Sequence, residues 1–523
     1  MQELKGYFLP KSLEDLENEL EFTEKPIGDY TVKIPKIKPE HIKVITQKLK
    51  ENRDSIISDA SIDWLAYIYD KVSQKWMDNS YEKKKIAMEL LPLLTGLTKE
   101  VIEFYQFSTI YKINYHNIIY FGEIDIPEEA FKKFTKIKDI NVMIRGYASL
   151  VNKLKFARAI KKPRRVRLVT YITPSNVPGL IEVLGLFLSS LARAASITKT
   201  PSIQPIFAPL YAESIQEVDK GLAETIAVIP WRGGTLEIED VLFRNSDVVS
   251  VVSSTETIKS VKKRIDKLKK EKYNVKGCYH GGKFGFVVIS REYVNREIAG
   301  LAILDGFGYE GYMCSSPAFG FFVERGGEYS PQDFAELLVK EGLRFQKMLP
   351  QGKLFKKNRE LKVSELLLRE KITEGMKVYH SKKRYFTVVY KPEIEFIPDG
   401  QDRVFKVMPI DDIHDVIPFL HKWRDYLQTM GFAIPKIRFM AFADKVARLG
   451  ITNFRVIGTV TLPRFGEAWD GYYPLLEFIT EDYVRWVSIN VDDIDRGIYK
   501  QTEWIDKIIK RFEKEQEERK KKE

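Results

Sequence analysis

Cysteine is nearly absent: the 523-residue chain carries only two, Cys278 and Cys314. A disulfide framework needs more, and two thiols without a CxxC spacing argue against a structural zinc or iron–sulfur site. Long apolar runs are missing as well. The most hydrophobic stretch, residues 179–197, is interrupted by Glu182 and Arg193 and is too amphipathic to span a bilayer. The N-terminal MQELKGYFLPKSLEDLENEL has no basic region followed by an apolar one, so no secretory signal is expected, and the chain reads as cytoplasmic. Nor does one sign of charge dominate. The net charge of +11 is modest for a chain this long and suits a ligand with several phosphates as well as it suits nucleic acid. No aromatic-rich basic strand or helix-turn-helix pattern accompanies it, so nucleic-acid binding is not expected. The G-x-G-x-x-G fingerprint is also absent, which excludes a standard dehydrogenase dinucleotide turn.

What is present points to an α/β protein. Hydrophobic residues make up 44% and charged residues 30%, enough to bury a large core, and at about 150 residues per domain the length suggests three or four units. Residues 1–150 form a mixed, partly helical region in which Trp64, Ile68, Val72 and Trp76 recur at helical spacing. From residue 151 a basic segment leads into the apolar run Leu168 to Ile172, and strand-like runs then alternate with amphipathic helices up to residue 279. Continuous apolar strands between helices mean a parallel sheet covered on both faces. A second α/β region spans 280–425, and a segment over 426–512 returns to complete the fold. The tail 513–523 holds five basic and five acidic residues and reads as a frayed helix. The helix after Thr257 carries nine basic and two acidic residues. Such a run is usually a solvated face, though some of its lysines could instead lie near a phosphate.

Four polar or glycine-containing turns follow successive strands of the first unit, so all should line one crevice at the carboxyl edge of the sheet. They hold Asn176 in SNVPG, Lys199 and Ser202 in TKTPS, Gly233 and Gly234 in PWRGG, and Ser254 in VSSTE. Cys314 lies downstream in a small-residue segment, MCSSPAFGFFVE. A lone cysteine is most often a small buried hydrophobe. A thiolate is nevertheless the strongest nucleophile a protein can offer near neutral pH. Asn176 alone would be an ordinary turn residue before a proline, and Lys199 a surface lysine at a strand end.

In order and spacing these segments resemble the aldehyde dehydrogenase superfamily, and within it the acyl-CoA and acyl-protein thioester reductases of the LuxC type. SNVPG, PWRGG, HGGKFGFVVIS, CSSPAFGFFVE, LQTMG, ARLGITNFRVIGTV and WDGYYPLLEF carry the resemblance, which covers roughly residues 60–490. It implies two α/β lobes, one Rossmann-like for the cofactor and one catalytic, preceded by the partly helical N-terminal region. It also implies that Cys314 is the nucleophile and that Asn176 donates its amide to the oxyanion. Lys199, Ser202, Gly233, Gly234 and Ser254 would border NADPH. No metal is implied.

Aldehyde-oxidising members carry a glutamate in a Glu-Leu-Gly-Gly-Lys turn, the base for hydrolysis of the acyl-enzyme. Aligning on Gly281-Gly282-Lys283 puts Tyr279 in its place, with His280 beside it. The missing glutamate favours the reductive direction, since a thioester reductase would be harmed by hydrolysis. His280 is then a general acid–base, an orienting group, or a structural histidine. The implied reaction is attack of Cys314 on a long-chain acyl thioester, hydride reduction of the acyl-cysteine by NADPH, and release of aldehyde. The donor is acyl-CoA or an acyl carrier, with room for a partner protein that hands on the acyl group. A homo-oligomer is the family expectation. The competing reading is an acyl-cysteine acyltransferase, or another non-reductive relative, that has lost hydride transfer.

Overall fold

Apolar runs that alternate with amphipathic helices become the strands of two largely parallel sheets. The computed structural model describes residues 2–122, 133–136, 142–147, 166–353, 356–381, 383–479, 485–490 and 503–520. The basic run around Lys161 lies outside them.

The chain opens with β1 (Gln2–Lys5), β2 (Phe22–Ile27) and β3 (Tyr30–Pro35), a small sheet in the order β1-β3-β2. Helices Pro39–Ile56, Ile62–Met77 and Glu82–Thr95 follow. The helical spacing of Ile68, Val72 and Trp76 is that of a buried stripe. Tyr69 Oη lies 2.9 Å from Ser190 Oγ, and Trp76 Nε1 donates to Ser214 Oγ at 3.1 Å. These bonds brace the helices of the next unit. β4 (Thr135–Lys136) and β5 (Val142–Tyr147) then add to the far edge of the largest sheet.

β6 (Leu168–Ile172), β7 (Ala195–Thr200), β8 (Ile226–Pro230), β9 (Val248–Val252) and β10 (Lys276–His280) form an all-parallel sheet in the order β10-β9-β6-β7-β8. The chain proceeds from β6 to β7 and β8, then crosses back to β9, so the topological switch falls between β6 and β9. Ligands of open α/β sheets bind outside the carboxyl ends of the strands at that point. Helix Thr255–Lys270 buries Val261, Ile265 and Leu268, while Lys262, Lys263 and Lys267 are exposed, so most of its charge is a solvated face.

β11 (Phe284–Ile289), β12 (Phe321–Glu324), β13 (Lys377–His380), β14 (Thr387–Tyr390), β15 (Val404–Ile410), β16 (Leu427–Ala433), β17 (Asn453–Val456) and β18 (Arg485–Asn490) complete a ten-stranded sheet. Its order is β13-β14-β15-β12-β11-β16-β17-β18-β5-β4. Only three residues separate β10, at the edge of the first sheet, from β11, in the interior of the second, and this crossover runs along one cavity. Among the described residues, no helix is long and apolar enough to cross a membrane. Nor, among them, is any group of His, Cys, Asp and Glu side chains placed to hold a metal ion.

Candidate active site

The cavity between the sheets has a volume of about 580 Å³, within the usual range for small-molecule sites. Its wall includes residues 174–177 after β6, 252–254 after β9, and 280–284 between β10 and β11. Residues 311–315 and the ends of β16 and β17 close it from the second sheet. Cys314, Asn176, His280 and Ser254 all line it. Lys199, Ser202, Gly233 and Gly234 are not among its lining residues and belong to the neighbouring turns after β7 and β8.

Cys314 sits between helix Arg296–Phe307 and β12, in a loop laid directly on β11. Gly285 N donates to Ser316 O at 3.1 Å, and Phe319 N donates to Gly285 O at 3.1 Å. A Cβ on Gly285 would stand 2.5 Å from Ser315 O and 2.9 Å from Ser316 O, so only glycine lets the loop approach this closely. The loop begins at Tyr309 (φ 47°) and Glu310 (φ 57°), two left-handed non-glycine residues that cost on the order of 1–3 kcal/mol each. Glu310 is pinned by the buried Arg403, whose Nη2 donates to Oε1 at 2.9 Å, and by Gly352 N at 3.2 Å.

Asn176 Nδ2 donates to Tyr312 O at 2.8 Å, which puts the amide two residues from the nucleophile. That nitrogen carries a second N–H for a substrate oxygen. The thiol is not activated at rest. Burial first, then the charge of Asp470, pushes the Cys314 thiol up to about 11, against opposing pulls from Gln428 and Arg455. Gln428 Nε2 donates to Cys314 Sγ at 3.3 Å.

His280 is fully buried. Its Nδ1 lies 3.1 Å from Asp470 Oδ2, its Nε2 lies 3.4 Å from Glu477 Oε2, and its ring stacks on Trp469 at 4.4 Å. Burial alone would lower its pKa. The two carboxylates outweigh it and raise the value to about 9, so the ring is an imidazolium at neutral pH, while Asp470 is held low. Nδ1 is hydrogen-bonded to Asp470 and Nε2 is paired with Glu477, so both ring nitrogens are turned toward carboxylates.

Tyr279 is a correction to the sequence reading. Along β10 side chains alternate. Tyr279 packs against the second core cluster, with its ring back over Gly277, and does not line the cavity. His280 is the residue that faces it. The Tyr279 side chain is therefore turned away from the cavity. Gln428, Asp470, Glu477 and Arg455 were not foreseen as site residues. LQTMG and WDGYYP mark the neighbourhoods of the first three in sequence, but no local pattern announces a role for them.

A family model described as acyl-CoA reductase (LuxC) matches residues 151–481, well over half of the chain. The chain belongs to the LuxC acyl-CoA reductase family. It is 25% identical over 327 residues to the long-chain acyl-protein thioester reductase of Aliivibrio fischeri, a match that spans 61% of this chain and 63% of that one. Lactaldehyde dehydrogenase from Escherichia coli superposes with a TM-score of 0.60 at 15% identity, covering 90% of this chain and 96% of its own. An NAD-dependent benzaldehyde dehydrogenase from Corynebacterium glutamicum gives 0.59 at 14%, covering 90% and 95%. The LuxC-family chain thus has the aldehyde dehydrogenase fold.

Proposed function

We propose that this LuxC-family protein reduces a long-chain acyl thioester to the aldehyde through an acyl group carried on Cys314. One observation carries the reading: the only half-buried cysteine opens into a cavity that is polar at the sulfur and apolar beyond it. Helix Leu180–Leu191 turns Leu180, Leu184 and Leu188 toward the cavity at four-residue spacing, with Ile181 and Phe187 beside them. A hydrocarbon tail fits that wall, and a short polar aldehyde would leave it wet.

In the first half-reaction Cys314 Sγ, as thiolate, attacks the acyl carbon, and the carbonyl electrons move onto oxygen. Asn176 donates an N–H to that oxygen, an interaction worth about 10²- to 10³-fold. The oxyanion collapses, the donor's carbon–sulfur bond breaks, and the departing thiolate takes a proton. Among the described residues two carboxylates, Glu467 and Asp470, border the cavity, and both are already tied to a cation. Glu467 Oε2 accepts from Arg455 Nη2 at 2.7 Å, and Asp470 is bound to His280. Asp470 is held on both oxygens, by His280 and Gln428, and Glu467 is paired with Arg455 through Oε2; this pairing weakens both as bases for hydrolysis and supports reduction.

A nicotinamide nucleotide, NADPH by the family resemblance, would be held by Lys199, Ser202, Gly233, Gly234 and Ser254, and when bound supplies the hydride. The residues fit such a group. A Cβ on Gly233 or Gly234 meets nothing within 4 Å, so the backbone there is open to close approach. Ser254 caps the 16-residue helix Thr255–Lys270, whose first N–H groups suit a diphosphate. Lys199 is largely buried, with Nζ 3.2 Å from Thr200 O, and desolvation lowers its pKa against the opposing pull of Glu239 and Glu182.

The test mixes the chain with long-chain acyl-CoA and NADPH and follows both nicotinamide absorbance and aldehyde. Stoichiometric loss of NADPH with aldehyde formation, abolished in Cys314→Ser, supports the proposal. Thiol release without NADPH consumption contradicts it and favours acyl transfer.

A further inference from the structure

We infer that Gln428 stabilises the Cys314 sulfur when it ionises for attack, and that Asp470 and His280 act through it as positioning residues. The inference rests on the proposal that Cys314 is the nucleophile. Gln428 stands at the start of β16, across from β11 and the nucleophile loop. Its Nε2 reaches two atoms, Cys314 Sγ at 3.3 Å and Asp470 Oδ1. Its Oε1 accepts from Thr429 Oγ1 at 3.1 Å.

The direction of the amide is fixed by chemistry. An ionised carboxylate only accepts, so Gln428 must present nitrogen to Asp470, and therefore nitrogen to sulfur. A flipped amide would set oxygen against both. Asp470 is in turn fixed through its other oxygen by His280, and His280 by Glu477 and the Trp469 face. Each member of this buried chain determines the next, and its last N–H points at the nucleophile.

An N–H donor bonds a thiolate more strongly than a thiol, so this contact favours the ionised form. It works against a hostile setting. Burial and the Asp470 charge both oppose ionisation of Cys314, and only Gln428, Arg455 of β17 and the Ser315 backbone oppose them. Glu467 shares the charge of Arg455, while His280 and Lys283 offset that of Asp470. Gln428 lets the protein place a carboxylate near the sulfur as an anchor while showing the sulfur a donor.

The test is the pH profile of Cys314 alkylation by iodoacetamide in the full chain, read on the Cys314 peptide by mass spectrometry, with thermal melts to establish folding. Gln428→Met keeps length and removes the donor. Gln428→Glu keeps shape but has at most one proton, which it must share with Asp470. In either variant the profile should move to higher pH by about one unit, so that labelling at pH 8 falls about tenfold. Acylation by acyl-CoA should fall in parallel. If neither variant folds, Thr429→Val, which removes only the hydroxyl on the amide oxygen, should move the profile the same way with a two- to threefold loss. A folded variant at 428 with the wild-type profile overturns the inference. So does an unmoved Thr429→Val profile when neither 428 variant folds. Failure to label wild-type Cys314 at any pH overturns the nucleophile proposal itself, an outcome distinct from a labelled wild type with unshifted variants.

Discussion

A single carboxylate, Asp470, shapes the environment of Cys314 more than any residue adjacent to it in sequence. The sulfur is a thiol at rest, so free Cys314 should become more reactive with rising pH, toward the value of about 11 set by burial and Asp470. Asn176→Ala should lower acylation of Cys314 about 10²-fold, measured as single-turnover thiol release from acyl-CoA, because the amide then no longer meets the developing charge. Tyr279→Glu should leave the ratio of acid to aldehyde unchanged, since a carboxylate there faces the second core cluster; product analysis by gas chromatography checks this. A rise in acid would mean that the side chain reaches the cavity. Turns that follow strands marked Asn176 and Ser254, the family resemblance marked Cys314 and His280, and all four line one cavity. The sequence could not mark Asp470 or Gln428, which meet Cys314 only through folding across more than a hundred residues. Counting back from Gly281 also could not tell Tyr279 from His280, because which face of β10 looks into the cavity is set by its pairing and packing.

At the level of elements, the nucleophile loop is held from both sides. Gly285 on β11 admits its backbone, and the buried Arg403 restrains the left-handed Tyr309–Glu310 turn behind it. Arg403→Met should leave Glu310 buried without its main partner and destabilise the protein by about 3–5 kcal/mol, read as a shift of the denaturant midpoint. Gly285→Ala should slow acylation of Cys314 with a smaller effect on stability, because the loop can move off the strand at the expense of its geometry. Loss of stability without loss of acylation would show that the close approach does not position the nucleophile. Strands β6 to β9, β11, β12, β14 and β15 were legible as strand-like runs, since buried parallel strands are largely apolar on both faces, whereas β4, β5, β10, β13 and β16 to β18 were not. The N-terminal sheet was not. Its β1 and β2 are short, largely exposed and rich in Glu and Lys, so they carry no alternation or apolar run. They are strands because β3 lies between them and is half buried.

At the scale of the whole molecule, the two sheets are bridged at the cavity by the buried ion pairs of His280 with Asp470 and Glu477. His280 ends the first sheet, and Asp470 follows β17 of the second. The pKa of His280 is raised from an ordinary value near 6.5 to about 9. Its contribution to stability is therefore fully present below about pH 6.5 and is lost as pH climbs through about 9. Asp470 has the opposite sign: its lowered pKa gives stability above the ordinary carboxylate range that is lost in acid. Thermal melts should show Tm falling between pH 7 and 10, and His280→Gln should flatten that alkaline limb; an equally steep limb in the variant would place the titration elsewhere. The central claim, an acyl group carried on Cys314 between two half-reactions, has a more direct test. The chain is incubated with long-chain acyl-CoA in the absence of nicotinamide nucleotide, digested, and examined by mass spectrometry. The result expected is one acyl adduct, on the Cys314 peptide, that disappears with formation of aldehyde when NADPH is added. Aldehyde formation with no adduct on Cys314, or an adduct that NADPH leaves in place, would contradict the account.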